Sequence, residues 1–183
     1  MGWNFFKKNE EDENPEMDFN DLVLSKMKVG FLVDYDMKTY QITAKNYYQW
    51  DEGGRTEEWE LKQGDEVLYL EREQEDGEVS WSLSRKLPIG ALDGNIANHI
   101  IENEDPPETV IIDGEGYSFE EDDIGTYHKG ENSRGLEFVV WDYSDIRQEK
   151  SLSIEQWGET KFDVTIGFEV EEYQFSNILP GIN

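Results

Sequence analysis

Apolar and polar residues alternate along much of the chain, most strictly in Phe162, Val164, Ile166, Phe168 and Val170, with Asp163, Thr165 and Glu169 among the residues between them. A period of two is that of an extended strand, so this stretch predicts a strand with one face in a core and one in water. Val79, Trp81 and Leu83 repeat the pattern in shorter form. Strand signals cover residues 29–35, 39–50, 56–62, 66–73 and 78–87. Asp51-Glu52-Gly53-Gly54, Lys62-Gln63-Gly64-Asp65 and Asp76-Gly77 separate them as tight turns, where glycine supplies the positive φ that hairpins need. After Pro88 the period changes. Ile96, Ala97, Ile100 and Ile101 fall on one face of a short helix within 91–104, which the pair Pro106-Pro107 ends by removing two backbone donors. Strand signals resume at 109–112, 116–119, 125–128, 136–143, 150–157, 161–170 and 173–180.

The two runs of strands share an order of features. Glu58-Trp59-Glu60-Leu61 parallels Val140-Trp141-Asp142-Tyr143, and Leu68-Tyr69-Leu70-Glu71 parallels Leu152-Ser153-Ile154-Glu155. The turn Asp76-Gly77-Glu78 parallels Trp157-Gly158-Glu159, and Val79 to Leu83 parallels Phe162 to Ile166. The expected fold is mainly β: antiparallel meanders forming a pseudo-duplicated β-sandwich or barrel-like domain with one short connecting helix. Its parts are a first meander (22–87), a connector (88–108) and a second meander (109–181).

Residues 9–21 hold seven carboxylates and no Lys or Arg, which predicts a loose acidic tether rather than packed structure. Residues 102–123 hold ten carboxylates and again no Lys or Arg. In all, 43 Asp and Glu face 16 Lys and Arg over 183 residues, a formal charge of -27. Phosphate binding rests on clustered cations, so nucleic acid and bare anionic membrane are disfavoured as partners. Cysteine is absent, which excludes disulfides, thiolate metal sites and cysteine nucleophiles. The mean hydropathy is -0.79 and no apolar run is long enough to span a bilayer. The start has neither the basic-then-apolar order of a signal peptide nor the Ser or Thr that myristoylation wants at position six, where Phe6 stands. A soluble cytoplasmic protein is expected.

Lys28-Val29-Gly30, Glu58-Trp59-Glu60-Leu61, Val140-Trp141-Asp142-Tyr143, Leu152-Ser153-Ile154-Glu155-Gln156-Trp157-Gly158 and Asn177-Ile178-Leu179-Pro180-Gly181 together resemble the bacterial domain of unknown function 4178 family. The resemblance covers about residues 22–181. It implies no enzymatic activity. What it implies is an accessory or adaptor role in the company of phage-shock-type membrane-stress proteins, small membrane proteins and polyamine-synthesis enzymes. The acidic tether lies outside it.

Little catalytic chemistry is on offer. His99 and His128 have no second histidine at metal spacing, and no Gly-x-Ser-x-Gly elbow, Walker loop or dinucleotide fingerprint is present. The abundant carboxylates suit a paired-acid hydrolase only formally, because solvated faces account for nearly all of them. Asp113-Gly114-Glu115-Gly116 and Glu120-Glu121-Asp122-Asp123 supply hard oxygen ligands for a divalent ion but not the spacing of a helical calcium loop. Tyr47, Tyr48 and Trp50 form a candidate ligand platform for a sugar ring, although adjacent strand residues face opposite sides and at least one tyrosine belongs in the core. Trp3, Phe5, Phe6, Lys7 and Lys8 form a candidate partner contact, an aromatic and basic hook for a protein groove or a membrane surface. These features favour a non-catalytic adaptor without cofactor. The runner-up is a ligand-binding β module for carbohydrate or a polycation such as a polyamine.

Overall fold

A computed structural model describes residues 22–181. Eleven strands form one antiparallel sheet: β1 (Leu32–Tyr35), β2 (Lys38–Trp50), β3 (Arg55–Gln63), β4 (Glu66–Glu75), β5 (Glu78–Leu87), β6 (Thr109–Ile112), β7 (Glu115–His128), β8 (Leu136–Asp145), β9 (Ser151–Gly158), β10 (Lys161–Glu169) and β11 (Phe175–Leu179). The order is β11-β1-β2-β3-β4-β5-β10-β9-β8-β7-β6, and β2 also pairs with β7, so eight strands close into a barrel. Each meander supplies four consecutive strands of the ring. The halves meet at two seams, β2 with β7 and β5 with β10.

Two long strands make the closure. In β2, residues 38–41 pair with β1 and residues 47–50 with β7. In β7, residues 115–118 pair with β6 and residues 125–128 with β2. The segments expected separately at 116–119 and 125–128 are therefore one strand, carried past a register shift between Phe119 and Glu121. Each seam also has a glycine in its second-half strand. A Cβ on Gly125 would stand 3.0 Å from atoms of Phe138 and Trp50, and one on Gly167 would stand 2.8 Å from the Leu83 carbonyl. Tight curvature brings neighbours this close, and only glycine fits there without displacing them.

Alternation along the ring separates two sets of side chains. One set makes contacts between strands that are not neighbours: Lys86 of β5 lies 6.0 Å from the Tyr127 ring of β7, and the Tyr48 hydroxyl of β2 lies 3.4 Å from Glu155 of β9. That set, with Glu58, Glu71, Asp142 and Trp157, faces the lumen. The other set faces out and carries the apolar core in two clusters. Trp59, Leu61, Leu70, Trp81 and Leu83 pack under Leu24, Met27, Val33 and Phe175. Trp141, Tyr143, Leu152, Ile154 and Val164 pack under Leu92, Ile96, Ile100 and Val110. The ring is thus apolar outside, each half roofed by a cover, while its lumen holds carboxylates beside a third cluster of Tyr48, Tyr127, Phe138 and Val140 with Trp50 and Trp157.

The expectation that the polar face of 162–170 meets water is corrected accordingly. Asp163 and Thr165 turn into the lumen, because the apolar face is taken by the cover of the second half. The predicted helix is shorter than its signal. A 3-10 turn over Ile89–Ala91 precedes α1 (Ile96–Asn103), which buries Ile96 and Ile100 but leaves Ile101 exposed. Glu104, with φ 67°, ends it in the left-handed region before the two prolines.

Candidate functional site: the polar lumen

The centre of the lumen is a set of carboxylates contributed by both half-rings. Glu58 of β3 pairs across to Asn46 of β2 and to Glu71 of β4, so all three share the inner face. Glu155 comes from β9, opposite Val140 of β8 and Asp163 of β10. Glu58 is wholly buried and Glu155 is 5% exposed. The Glu58 oxygens are well occupied. Oε1 accepts from Asn46 Nδ2 and from the Tyr127 hydroxyl, each at 2.8 Å, and Oε2 accepts from the Tyr48 hydroxyl at 3.1 Å.

Glu155 is not satisfied in this way. Its Oε1 lies 3.4 Å from the same Tyr48 hydroxyl, whose single proton can serve only one carboxylate at a time. Its Oε2 is buried with no hydrogen-bond partner among the described residues. Ser84 Oγ and Trp157 Nε1 are the other buried side-chain atoms without partners among the described residues, and both also belong to the inner face. An unpaired buried polar group costs about 1–3 kcal/mol, so three on one face mark the lumen as a place where polar atoms expect company.

Charge in the lumen is unbalanced. Lys86 is the cation among these acids, and burial works against its charge. The fields of Glu155 and Glu58 outweigh burial and hold its pKa above the usual lysine value. Lys86 nevertheless makes no ion pair within 4 Å among the described residues; its ammonium sits 4.7 Å from the Tyr69 ring centre. Burial raises Glu155 to about 7, with Lys86 opposing and Glu58 reinforcing the shift. Burial also lifts Glu71 well above the ordinary glutamate value, helped by Glu58 and Glu155, and brings Asp142 to about 6 despite its hydrogen bond with Ser153. Tyr48 and Tyr127 are both raised by burial and by the nearby glutamates, so their hydroxyls remain donors.

One mouth of the lumen is a cavity of about 540 Å³. Tyr69, Tyr127 and Trp157 wall it, with Lys86 and Asp163 within and Lys129 and Lys161 at the lip. The two lip lysines are exposed and make no ion pair among the described residues. Trp157 stacks on Phe138 at 4.8 Å and meets Tyr127 edge-on at 5.5 Å, which fixes its indole at the mouth.

The aromatic platform does not form as one surface. Tyr48 and Trp50 lie on the inner side, 5.6 Å apart, and Trp50 donates to Thr56 at 2.9 Å. Tyr47 faces outward, stacked on His128 at 4.5 Å with the Arg55 guanidinium 3.7 Å from its ring centre. Adjacent strand residues diverge, and no bulge intervenes to reunite them. The divalent-ion idea for 102–123 is corrected too. Among the described residues no group of three or more His, Asp or Glu could hold a metal ion. The acids of that segment are spread from α1 along β7 rather than gathered. Trp3, Phe5, Phe6, Lys7 and Lys8 lie outside the described residues. No helix among those described is long and apolar enough to cross a membrane.

Glu58, Glu71 and Glu155 were hidden among 43 Asp and Glu, and Lys86 among 16 Lys and Arg, that the composition assigns to water. The signal that could have found them is the serine spacing. Ser80, Ser82 and Ser84 share the inner face of β5 with Lys86, and Ser151 and Ser153 share that of β9 with Glu155. Small polar residues alternating with large apolar ones suit a narrow lumen better than a solvated sheet.

Comparison with known proteins places residues 28–172 in a match to the family described as domain of unknown function (DUF4178). An uncharacterised protein of Aquifex aeolicus (strain VF5) is 22% identical over 170 residues, covering 93% of this chain and 92% of that one. No solved structure matches the chain.

Proposed function

Because the chain belongs to the DUF4178 family, whose description assigns no activity, we propose its function from the lumen: a non-catalytic β-barrel that binds a compact organic cation. The observation that carries this reading is Glu155 Oε2, buried and without a partner among the described residues in a lumen of surplus negative charge. An ammonium group beside Glu155 Oε2 would supply the missing donor, and the mouth rings would cover its aliphatic body. Lys129 and Lys161 at the lip oppose the far end of a polyamine, so the ligand is one whose far end is neutral or anionic. A carbohydrate would leave the charge of the lumen unanswered.

Hydrolysis is disfavoured on geometry. Tyr48 bridges Glu58 and Glu155 much as two acids flank a glycosidic bond, but Glu58 has no exposed surface and its oxygens are already held by three donors. An adaptor role remains a second reading, favoured by the exposed apolar residues described below, with a cytoplasmic setting and the neighbourhood of membrane-stress proteins as its context. The correspondence of Trp59 with Trp141 and of Glu71 with Glu155, on successive strands of the two half-rings, is read as the trace of an internal duplication.

Three probes of one length separate the charges: 4-aminobutanoate, 1,4-diaminobutane and butanoate. At pH 8 and low salt, 4-aminobutanoate raises Tm most, the diamine less, and butanoate not at all, since a ligand of the folded state alone must stabilise it. The Glu155→Gln variant loses these shifts. A shift by butanoate alone, or by none of the three, overturns the proposal.

A further inference from the structure

The outer wall of the ring is open along the β5–β10 seam. Between the cover of the first half and that of the second, a groove of about 680 Å³ runs along the β5–β10 seam. Leu83, Ile166 and Phe168 contribute to it, and Phe168 is 44% exposed. The β1–β2 turn walls one side, and the turns β6–β7 and β8–β9 wall the other. At the tips of two of these turns stand Met37, fully exposed, and Ile146, 97% exposed. Exposed apolar side chains in the turns that wall an apolar-floored groove mark a contact surface.

The rim is acidic. Lys38 and Lys150 are spent on Glu66 and Glu115, at 2.8 and 2.6 Å. Among the described residues, Asp36, Asp113 and Glu169 of the lining take part in no ion pair, and Arg85 is the cation there without one. The groove therefore suits a segment with aromatic residues for its floor and lysines for its rim.

The chain itself contains that segment. We infer that residues 3–8, Trp-Asn-Phe-Phe-Lys-Lys, dock in the β5–β10 groove of the same molecule. The described chain starts at Leu22, which packs against the first-half cluster, and two members of that cluster, Tyr40 and Leu83, also line the groove. A linker of the length of 9–21 can reach about 20 Å when coiled and over about 40 Å when extended, against a radius of gyration of about 15 Å for a domain of this size. The seven carboxylates of residues 9–21 are repelled by the acidic rim, so only the aromatic and basic end fits the groove. Tethering puts that end at millimolar effective concentration, enough for a weak contact to be well populated.

The absence of native cysteine allows a direct test. A nitroxide on Gly2→Cys in the full chain should erase most of the amide NMR intensity of residues 36–38, 83–85, 113–115 and 166–169. Amides at the β2–β7 seam, across the ring, should keep theirs. Intensity should return with Lys7→Glu and Lys8→Glu together, and separately with Phe168→Asp in a chain whose other amide shifts are unchanged. Loss spread evenly, or centred away from the groove, overturns the inference. Equal loss when a spin-labelled chain is mixed with an isotope-labelled, untagged one assigns the groove to a second copy instead, and overturns docking within one molecule.

Discussion

Glu155 bears two burdens at once: it is buried, and one of its oxygens is unpartnered. Its pKa of about 7 lies above the unfolded value near 4.5, so between those pH values the folded chain holds a proton that the unfolded chain has lost. The stability from that proton is complete below about 4.5 and is lost as pH rises through about 7. Glu71 and Asp142 are shifted in the same direction. Asp34, Glu66, Glu115 and Asp145 are held below the usual range by their hydrogen-bond donors and act in the opposite sense, at lower pH. Tm is therefore expected to rise as pH falls from 8 to about 5.5, then drop again below about 4. In Glu155→Gln the amide can still meet Tyr48 while the buried charge is gone. Thermal melts across pH should show it more stable than wild type at pH 8, by on the order of 3 kcal/mol at most, with a flatter slope between 5 and 8.

The strands and turns were legible because each carries its own signal. Trp59, Trp81 and Trp141, each within a segment that reads as a strand, are 0%, 6% and 4% exposed. What period two cannot give is which side of a closed sheet a face lies on. Asp163 and Thr165 read as solvent-facing because a polar face has the same pattern whether it meets water or a polar lumen. Long-range pairing was equally hidden: nothing local in Tyr47 to Trp50 announces Gly125 to His128 as partners. The two seam glycines do report that closure, and they are open to test. At Gly167 an added methyl would meet the Leu83 carbonyl and Ser84, both on a neighbouring strand with little room to yield. Gly167→Ala is expected to cost about 1–3 kcal/mol in denaturant melts, whereas Gly77→Ala meets no atom within 4 Å and pays only for its φ of 89°.

At the scale of the whole molecule the formal charge of -27 acts against compactness. Surface repulsion is screened once the Debye length falls to about 10 Å or less, near 0.1 M salt, while the lumen carboxylates are shielded from it by burial. Raising NaCl from about 10 to 500 mM at pH 8 should therefore increase Tm, and Glu155→Gln should gain as much from salt as wild type does. A smaller gain in the variant would mean that the lumen is open to bulk ions. The ring also has an order in time. Residues 22–87 leave the ribosome first, carrying strand edges on β2 and β5 whose partners lie in β7 and β10. The β2–β7 seam can pair once residue 128 has been made, whereas the β5–β10 seam must wait for residue 169, so the edge of β5 stays bare longest. Such edges invite strand addition from other chains, so the interval between synthesis of β5 and β10 is when a nascent molecule has most to gain from a chaperone.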